Sequence, residues 1–504
     1  MNAAAGVLGV TVVSIATVAI GAYGLRFSRT TSDFYVASRS VGPTLNASAI
    51  SGEYLSAASF LGVAGLVLAH GTDMLWYPVG WTAGYLVLLV LVAAPLRRSG
   101  AYTLPDFADF RLDSRRVRHT SSALVVLIGI LYLMPQFQGA GITLRAITGA
   151  PKPVGAVVVA VIVLVNVLSG GMRSITFVQA FQYWLKLTAL LVPAAIIFRT
   201  WAGNGSPSAL DADEWIQPMT GNHSVYVTYS LILATFLGTM GLPHVVVRFY
   251  TNPDGRAARR TTVVVLGLLS LFYLLPPIYG FLGRVYAPDL VAAHRTDSVV
   301  LELPSHVFTS PLGDMLTALV SAGAFAAFLS TSSGLTVSVA GVISQELVGS
   351  HVDGVRAFRI GTVVATVISL TFALASTGLA VANAVELAFA VAASTFCPLL
   401  LLGIWWRGLT AYGAGLGLVV GGALSGGAVL ATLFGYTAHG WYGVLLSQPA
   451  AWTVPASFAA MIIGSLATRH RQLPHIGQVM VRLHTPEHVD VDRGTFHPEM
   501  PRPR

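Results

Sequence analysis

Apolar residues in this chain fall into runs of about 20 that recur from Ala4 almost to Ala467, separated by short polar stretches. A run of that length is what an α-helix needs to cross about 30 Å of hydrocarbon. About 13 spans are predicted, over residues 4–25, 45–69, 74–96, 121–146, 153–170, 175–199, 225–247, 262–285, 312–344, 358–378, 381–405, 410–434 and 450–467. Membrane β-strands would instead give alternating segments of about 10 residues, which the pattern lacks. The pattern therefore predicts an all-α polytopic membrane protein.

Two of the spans are interrupted by residues that do not belong in hydrocarbon. The second contains SGEYLSAASFLG, with Gly52, the carboxylate of Glu53 and the hydroxyls of Ser51, Ser56 and Ser59. Backbone groups freed by a break must be satisfied within protein or at a water-lined cavity, and a carboxylate at this depth marks a substrate or ion path by default. The seventh span reads ATFLGTMGLPHVVVRFY, where Gly238, Gly241 and Pro243 open the hydrogen-bond ladder midway. These two spans are five apart. Transporters made of two inverted five-helix repeats place one discontinuous helix of each repeat at the midplane, where freed carbonyls bind cations. The bland alternative is packing glycines and a tolerated kink.

The ninth span adds a dense set of hydroxyls, Ser330, Thr331, Ser332, Ser333, Thr336 and Ser338. Such hydroxyls bond back to their own helix or join neighbouring helices. Adjacent Ser330 and Thr331 also offer two oxygens from one turn, and Ala327, three residues earlier, brings a carbonyl to the same face.

Composition narrows the class further. Of 504 residues, 54% are hydrophobic and 10% charged, against roughly 25% charged in soluble domains. The net charge of +8 does not indicate a nucleic-acid partner, because the basic residues sit in short loops and read as topology signals. With the N-terminus outside, 17 loop positions, among them Arg97, Arg98, Arg111, Arg115, Arg116 and Arg118, lie inside and only five outside. This predicts N-out and C-in topology. The 200–224 loop, with Asp211, Asp213 and Glu214, falls outside. The N-terminal run has no basic leader region or clear cleavage site and reads as a retained helix. A single cysteine, Cys397, excludes an internal disulfide and a cysteine metal site and reads as packing. Gly413, Gly417 and Gly421 read as a helix-packing ladder. Residues 468–504, rich in proline with five histidines, read as a disordered cytoplasmic tail.

Together DFYVASRSVG (33–42), SGEYLSAASFLG (51–62), GAYTLPDFADFR (100–111), SGGM (169–172), GLPHVVVRF (241–249) and LAFAVAAS (387–394) resemble the sodium/solute symporter family, and within it the cation/acetate symporter branch. The resemblance runs from about residue 30 to about 435. It implies a leucine-transporter-like inverted-repeat core, with one repeat at about 45–199, the other at about 225–405, and peripheral helices at 4–25, 410–434 and 450–467. It also implies a sodium site made by the carbonyls of Gly52, Leu55 and Ala327 and the hydroxyls of Ser330 and Thr331. Three departures qualify it. Glu53 and Leu55 replace an aspartate and a methionine; Ser330 and Thr331 stand where the acetate branch is apolar, which favours sodium and weakens the transfer of acetate specificity; and Thr176 stands where some members with a second sodium site carry an aspartate. One coupling cation per cycle is therefore expected.

The substrate residues expected are Glu53, Tyr54, Ser56, Ser59, Gln136, Gly241 and His244. Gln136 and Gln138 flank Phe137 after Pro135, so they either donate to substrate or satisfy a kink. Arg248 reads as a structural gate or a lipid-headgroup contact. Lys186 and Glu386 either snorkel or pair between repeats. Glu53 tunes the site, pairs with another helix, or gates the path.

The function expected is sodium-coupled symport of a small organic anion, a short-chain monocarboxylate such as acetate, propionate or pyruvate, across the plasma (inner) membrane by alternating access. Na+ would be the coupling ion, with no organic cofactor; the partners are the bilayer and the solute, and homo-oligomers remain open. Proton coupling, another solute such as an amino acid, and a membrane sensor are the alternatives. No cluster of nucleophile, base and acid supports an enzyme.

Overall fold

The computed structural model describes residues 3–24, 37, 41–207, 215, 219, 224–348, 354–375, 381–433 and 440–489. The described residues are helical, and no strand occurs among them. The first half of the chain holds α1 (Ala3–Gly24), α2 (Pro43–Tyr54), α3 (Val63–His70), α4 (Trp76–Val87), α5 (Ala93–Ser99), α6 (Leu104–Leu112), α7 (Arg115–Thr148) and α8 (Lys152–Gly203). After it come α9 (Ser224–Gly241), α10 (Pro243–Val247), α11 (Gly255–Tyr273), α12 (Leu275–Tyr286), α13 (Asp289–Ala292), α14 (Val299–Val307), α15 (Pro311–Ile343), α16 (Gly354–Ala375) and α17 (Val381–Trp405). Then follow α18 (Ala411–Leu433), α19 (Gly440–Ser447), α20 (Ala450–Ala467) and α21 (Ile476–His484).

Twelve stretches among the described residues are long and apolar enough to cross a membrane. The second span accounts for the difference from thirteen. Its first half, α2, is only 12 residues long, and its second half continues through the turn Gly71–Leu75 into α4 and α5 as one stretch, Ala58–Ser99. The fifth and sixth spans meet head to tail within α8 at Gly171, whose φ of 56° and ψ of −149° suit glycine alone.

Local chemistry starts and stops these helices. Pro43 opens α2 at a position where no backbone donor is needed. Thr103 and Asp106 form a capping box on α6, and the Asp254 carboxylate accepts from Ala257 N at 2.7 Å to cap α11.

Helix α15 is the centre of the bundle. It packs on α8, α7, α1 and α2, and every residue from Val320 to Ile343 is buried, the hydroxyls included. On the other side α9 lies against α17 and α4, while α18 pairs with α20 and α17. The ladder residues Gly413 and Gly417 in α18 meet α20 at Ser465 and Met461. Cys397 is buried in α17.

The polar tail differs from expectation. Within 468–504, α21 is folded against α5, with Val479, Met480 and Leu483 buried. Arg98 donates to the carbonyls of Leu483 (3.4 Å) and His484 (3.1 Å) at its end. Those apolar positions, spaced at one and three to four residues, give the segment a face to bury that composition alone hides. The acidic residues 211–214, the tail beyond 489 and most of the 33–42 motif lie outside the described residues.

Candidate cation and solute site

The break in the second span lies at Leu55, whose ψ of 86° ends α2; the helix resumes through the π-turn Ala58–Gly62. Four of the freed groups are taken up by side chains from elsewhere. Ala57 N donates to Gln136 Oε1 of α7 at 3.0 Å. The Glu53 carbonyl accepts from Thr331 Oγ1 at 2.5 Å. The carbonyls of Gly52 and Leu55 both accept from Lys186 Nζ, at 2.8 Å for Leu55, and the same ammonium donates to Ser330 Oγ at 2.7 Å. Ser330 Oγ in turn donates to the Ala327 carbonyl at 3.1 Å.

Gly52, Leu55, Ala327, Ser330 and Thr331 are thus brought together between α2 and α15, and Lys186 of α8 stands among them. Close backbone approach makes this possible. A Cβ on Gly52 would run into the Gln179 carbonyl of α8, so α2 and α8 meet backbone to backbone.

Beside this cluster lies a buried charge network. Arg248 Nε lies 2.6 Å from Glu53 Oε2, its Nη1 donates to Thr176 Oγ1 at 2.9 Å, and its Nη2 donates to Gln179 Oε1. Gln179 Nε2 then donates to the Ser330 carbonyl at 2.7 Å. Room for the carboxylate comes from Gly334, where any side chain would overlap Glu53. Glu53 therefore pairs with another helical element. Arg248 is wholly buried, which corrects the lipid-headgroup reading: three internal partners hold its guanidinium. Lys186 is wholly buried as well and neither snorkels nor pairs with Glu386, which instead accepts from Tyr77 OH at 2.5 Å.

The second break lies at Leu242 (ψ 118°), between α9 and α10. A Cβ at Gly241 would overlap the Ala392 carbonyl of α17, so Gly241 serves close packing. His244 follows in α10, buried, with its ring 5.2 Å from that of Tyr132 and at 70° to it.

Between the breaks is a group of buried aromatic rings on Phe389. Tyr54, Trp81 and Tyr132 all pack on it, with centroids 6.3, 5.8 and 5.8 Å away, and Tyr85 meets Tyr54 edge-on at 4.8 Å. Tyr54 OH pairs with Thr239 Oγ1 at 2.8 Å. Thr239 gives its own proton to the Thr235 carbonyl, so Tyr54 is the donor. Ser59 pairs with Tyr273 at 2.8 Å, and Ser56 lies beside Tyr132.

Five buried polar atoms in this group have no hydrogen-bond partner among the described residues: Trp81 Nε1, Tyr85 OH, Ser56 Oγ and both ring nitrogens of His244. Buried polar groups are normally paired, so a cluster of orphans calls for an explanation.

The substrate residues expected from sequence thus divide. Ser56, Tyr54 and His244 belong to or border the aromatic group, Ser59 borders it through Tyr273, Gln136 holds the broken backbone, and Glu53 belongs to the ion pair. Gln138 donates to the Ala373 carbonyl at 3.3 Å. Trp81, Tyr85 and Tyr132 do not stand out in the sequence, because an aromatic in a membrane span reads as packing; the nearest signal for the first two is WYPVGWTAGY, four aromatics within ten residues.

Two broken helices within an all-helical bundle fit a multi-pass membrane transporter of the leucine-transporter-like fold. The model of the sodium:solute symporter family matches residues 34–421, and the chain belongs to that family. It is 30% identical to the uncharacterized symporter YwcA of Bacillus subtilis, over 97% of this chain and 100% of the relative. It is also 30% identical to a monocarboxylic acid transporter of Corynebacterium glutamicum, over 88% of each. Among solved structures it is similar to a Na+-coupled sialic acid symporter in a substrate-bound outward-open state, with a TM-score of 0.69 and 16% identity over 91% of this chain and 97% of the other. A nucleobase-cation-symport-1 family transporter has a TM-score of 0.57 and 15% identity over 89% and 98%. The protein is a plasma-membrane solute symporter and not an enzyme.

Proposed function

We propose that this chain carries out cation-coupled symport of a small organic anion, a short-chain monocarboxylate such as acetate, propionate or pyruvate. The observation that carries this reading is the set of orphaned groups on the aromatic cluster. Trp81 Nε1 and Tyr85 OH are N–H and O–H donors, and His244 adds one more whichever nitrogen holds its proton. A carboxylate accepts several such bonds at once, and the faces of Tyr54, Tyr132 and Phe389 suit a short apolar tail. The similarity to a monocarboxylic acid transporter supports the same solute class.

In cation-coupled symport, the coupling ion and the solute raise each other's affinity to the same extent. Sodium as the coupling ion is supported by the family and by the Na+-coupled structural neighbour. The alternative of another ion is favoured by one observation, the Lys186 ammonium among the expected sodium ligands.

Uptake of labelled acetate, propionate, pyruvate and an amino acid panel into proteoliposomes, under imposed Na+ or H+ gradients, tests the reading. Gradient-driven accumulation of at least one monocarboxylate is expected. Accumulation of amino acids alone would overturn it.

A further inference from the structure

We infer that Lys186 serves as a tethered cation at the position between α2 and α15, so that this chain holds no sodium ion there. The inference rests on reading that position as the cation site of a symporter, and it holds whichever solute is carried.

The first argument is the match of donors to acceptors. An ammonium has three N–H groups. Those of Lys186 meet three oxygens, the carbonyls of Gly52 and Leu55 and the hydroxyl of Ser330. All three belong to the oxygen set expected to hold sodium, and two of them are carbonyls that exist as free acceptors only because the helix breaks at Leu55. The lysine therefore replaces an ion in its coordination; it does not merely lie beside it.

The other two expected ligands are turned to internal partners. The Ala327 carbonyl accepts from Ser330 Oγ and the Thr331 hydroxyl donates to the Glu53 carbonyl. Each of the five oxygens is accounted for without an ion. A sodium ion would need Lys186 to leave all three of the oxygens it holds.

Charge leads to the same place. Lys186, Arg248 and Glu53 form one buried group, with Arg248 on the carboxylate and Lys186 two bonds along through the Gly52 carbonyl. The one carboxylate of the group is already paired with Arg248, so an added sodium ion would be a buried cation with no carboxylate of its own, which is the arrangement proteins avoid. The residues present thus do not fit a sodium ion at this position.

The lysine also performs the mechanical part of such an ion. It rises from α8 and ties the broken end of α2 to α15, the same two elements that a bound cation would join. A tethered cation is always present, so engagement of α2 with α15 here is independent of external sodium.

Sodium binding to the purified full-length chain tests this without any solute. Saturable binding of radioactive sodium and the melting temperature in sodium chloride against choline chloride are measured for the wild type, Ser330→Ala and Lys186→Ala. For the wild type no saturable binding and equal melting temperatures are expected. Saturable binding that Ser330→Ala weakens overturns the inference, and this arm needs only folded wild type for its decisive negative. Lys186→Ala is expected to melt below wild type in choline chloride, with sodium recovering part of the loss if the emptied oxygens accept it; an unchanged melting temperature overturns the inference.

In proteoliposomes, external sodium is expected to change acetate uptake by no more than about twofold, where linked ligands typically couple by roughly fivefold or more. A larger sodium effect overturns the inference. Failure of acetate uptake altogether would instead overturn the proposed solute and leave the sodium-binding result standing.

Discussion

Arg248 Nε and Glu53 Oε2 lie 2.6 Å apart with side-chain exposures of 0% and 2%, and 195 residues separate them in the chain. The pair joins α2, the first half of one broken helix, to the segment that follows α10, the second half of the other. Each of the two broken helical segments thus contributes one charge to a single buried bond beside the Lys186 cluster.

Removing one member leaves the other charged and buried. Glu53→Gln or Arg248→Met is expected to destabilise the fold by about 3–5 kcal/mol. The double variant Glu53→Gln with Arg248→Met is expected to lose less than the sum of the two. Thermal unfolding of the purified chain in detergent checks this; additive losses would mean the pair is not coupled.

The two close approaches around Glu53 give a second test. Gly334→Ala places a methyl group on the Glu53 carboxylate, and Gly52→Ala places one on the Gln179 carbonyl. Each is expected to cost about 1–3 kcal/mol through overpacking. Gly427 of α18 has no atom within 4 Å of its would-be Cβ, so Gly427→Ala is expected to leave stability unchanged or raise it by up to about 1 kcal/mol. Melting temperatures that rank Gly427→Ala below Gly52→Ala would refute the packing argument.

Gln136 is expected to matter to the fold before it matters to the solute. Its Oε1 accepts from Ala57 N, so Gln136→Leu strands a buried donor at the broken helix and costs about 1–3 kcal/mol. Gln136→Glu keeps the acceptor and is expected to retain more of that bond. The relative yield of monodisperse protein and the melting temperature distinguish the two.

For the solute, Tyr85→Phe keeps the ring and deletes the orphaned donor, while Trp81→Phe deletes the donor and replaces the buried indole with a smaller ring. Each is expected to raise the KM for monocarboxylate uptake by about 10-fold, the equivalent of roughly 1.4 kcal/mol; the melting temperature of Tyr85→Phe stays at or above that of the wild type because no internal bond is lost, and that of Trp81→Phe falls through lost packing. Unchanged uptake kinetics in both variants would remove these groups from the solute site.

Arg111 is a purely structural counterpart. Buried in α6, it donates to the carbonyls of Gly403 (2.7 Å) and Trp406 (3.0 Å) at the end of α17, where a cation also complements the helix dipole. Arg111→Met is expected to cost about 1–3 kcal/mol while leaving the KM of the remaining folded protein unchanged, measured by uptake normalised to folded transporter.

The membrane class, the helical fold, both breaks and the hydroxyl-rich ninth span were legible in sequence because each is a local property. Twenty apolar residues span hydrocarbon whatever surrounds them, and SGEYLSAASFLG and GLPHVVV interrupt a helix through their own glycine, serine and proline. The sequence also marked Glu53, Lys186 and Arg248 as costly, because burying a charge is expensive in any fold. It did not reveal their partners. Lys186 reaches Gly52, Leu55 and Ser330 across 134, 131 and 144 residues, and no periodicity carries information over that distance. The motif therefore named five oxygens that the fold brings together, without the lysine that stands among them, and the orphaned donors of Trp81 and Tyr85 were indistinguishable from packing. Burial cost belongs to the residue, while the group that offsets it is set by which helices pack together.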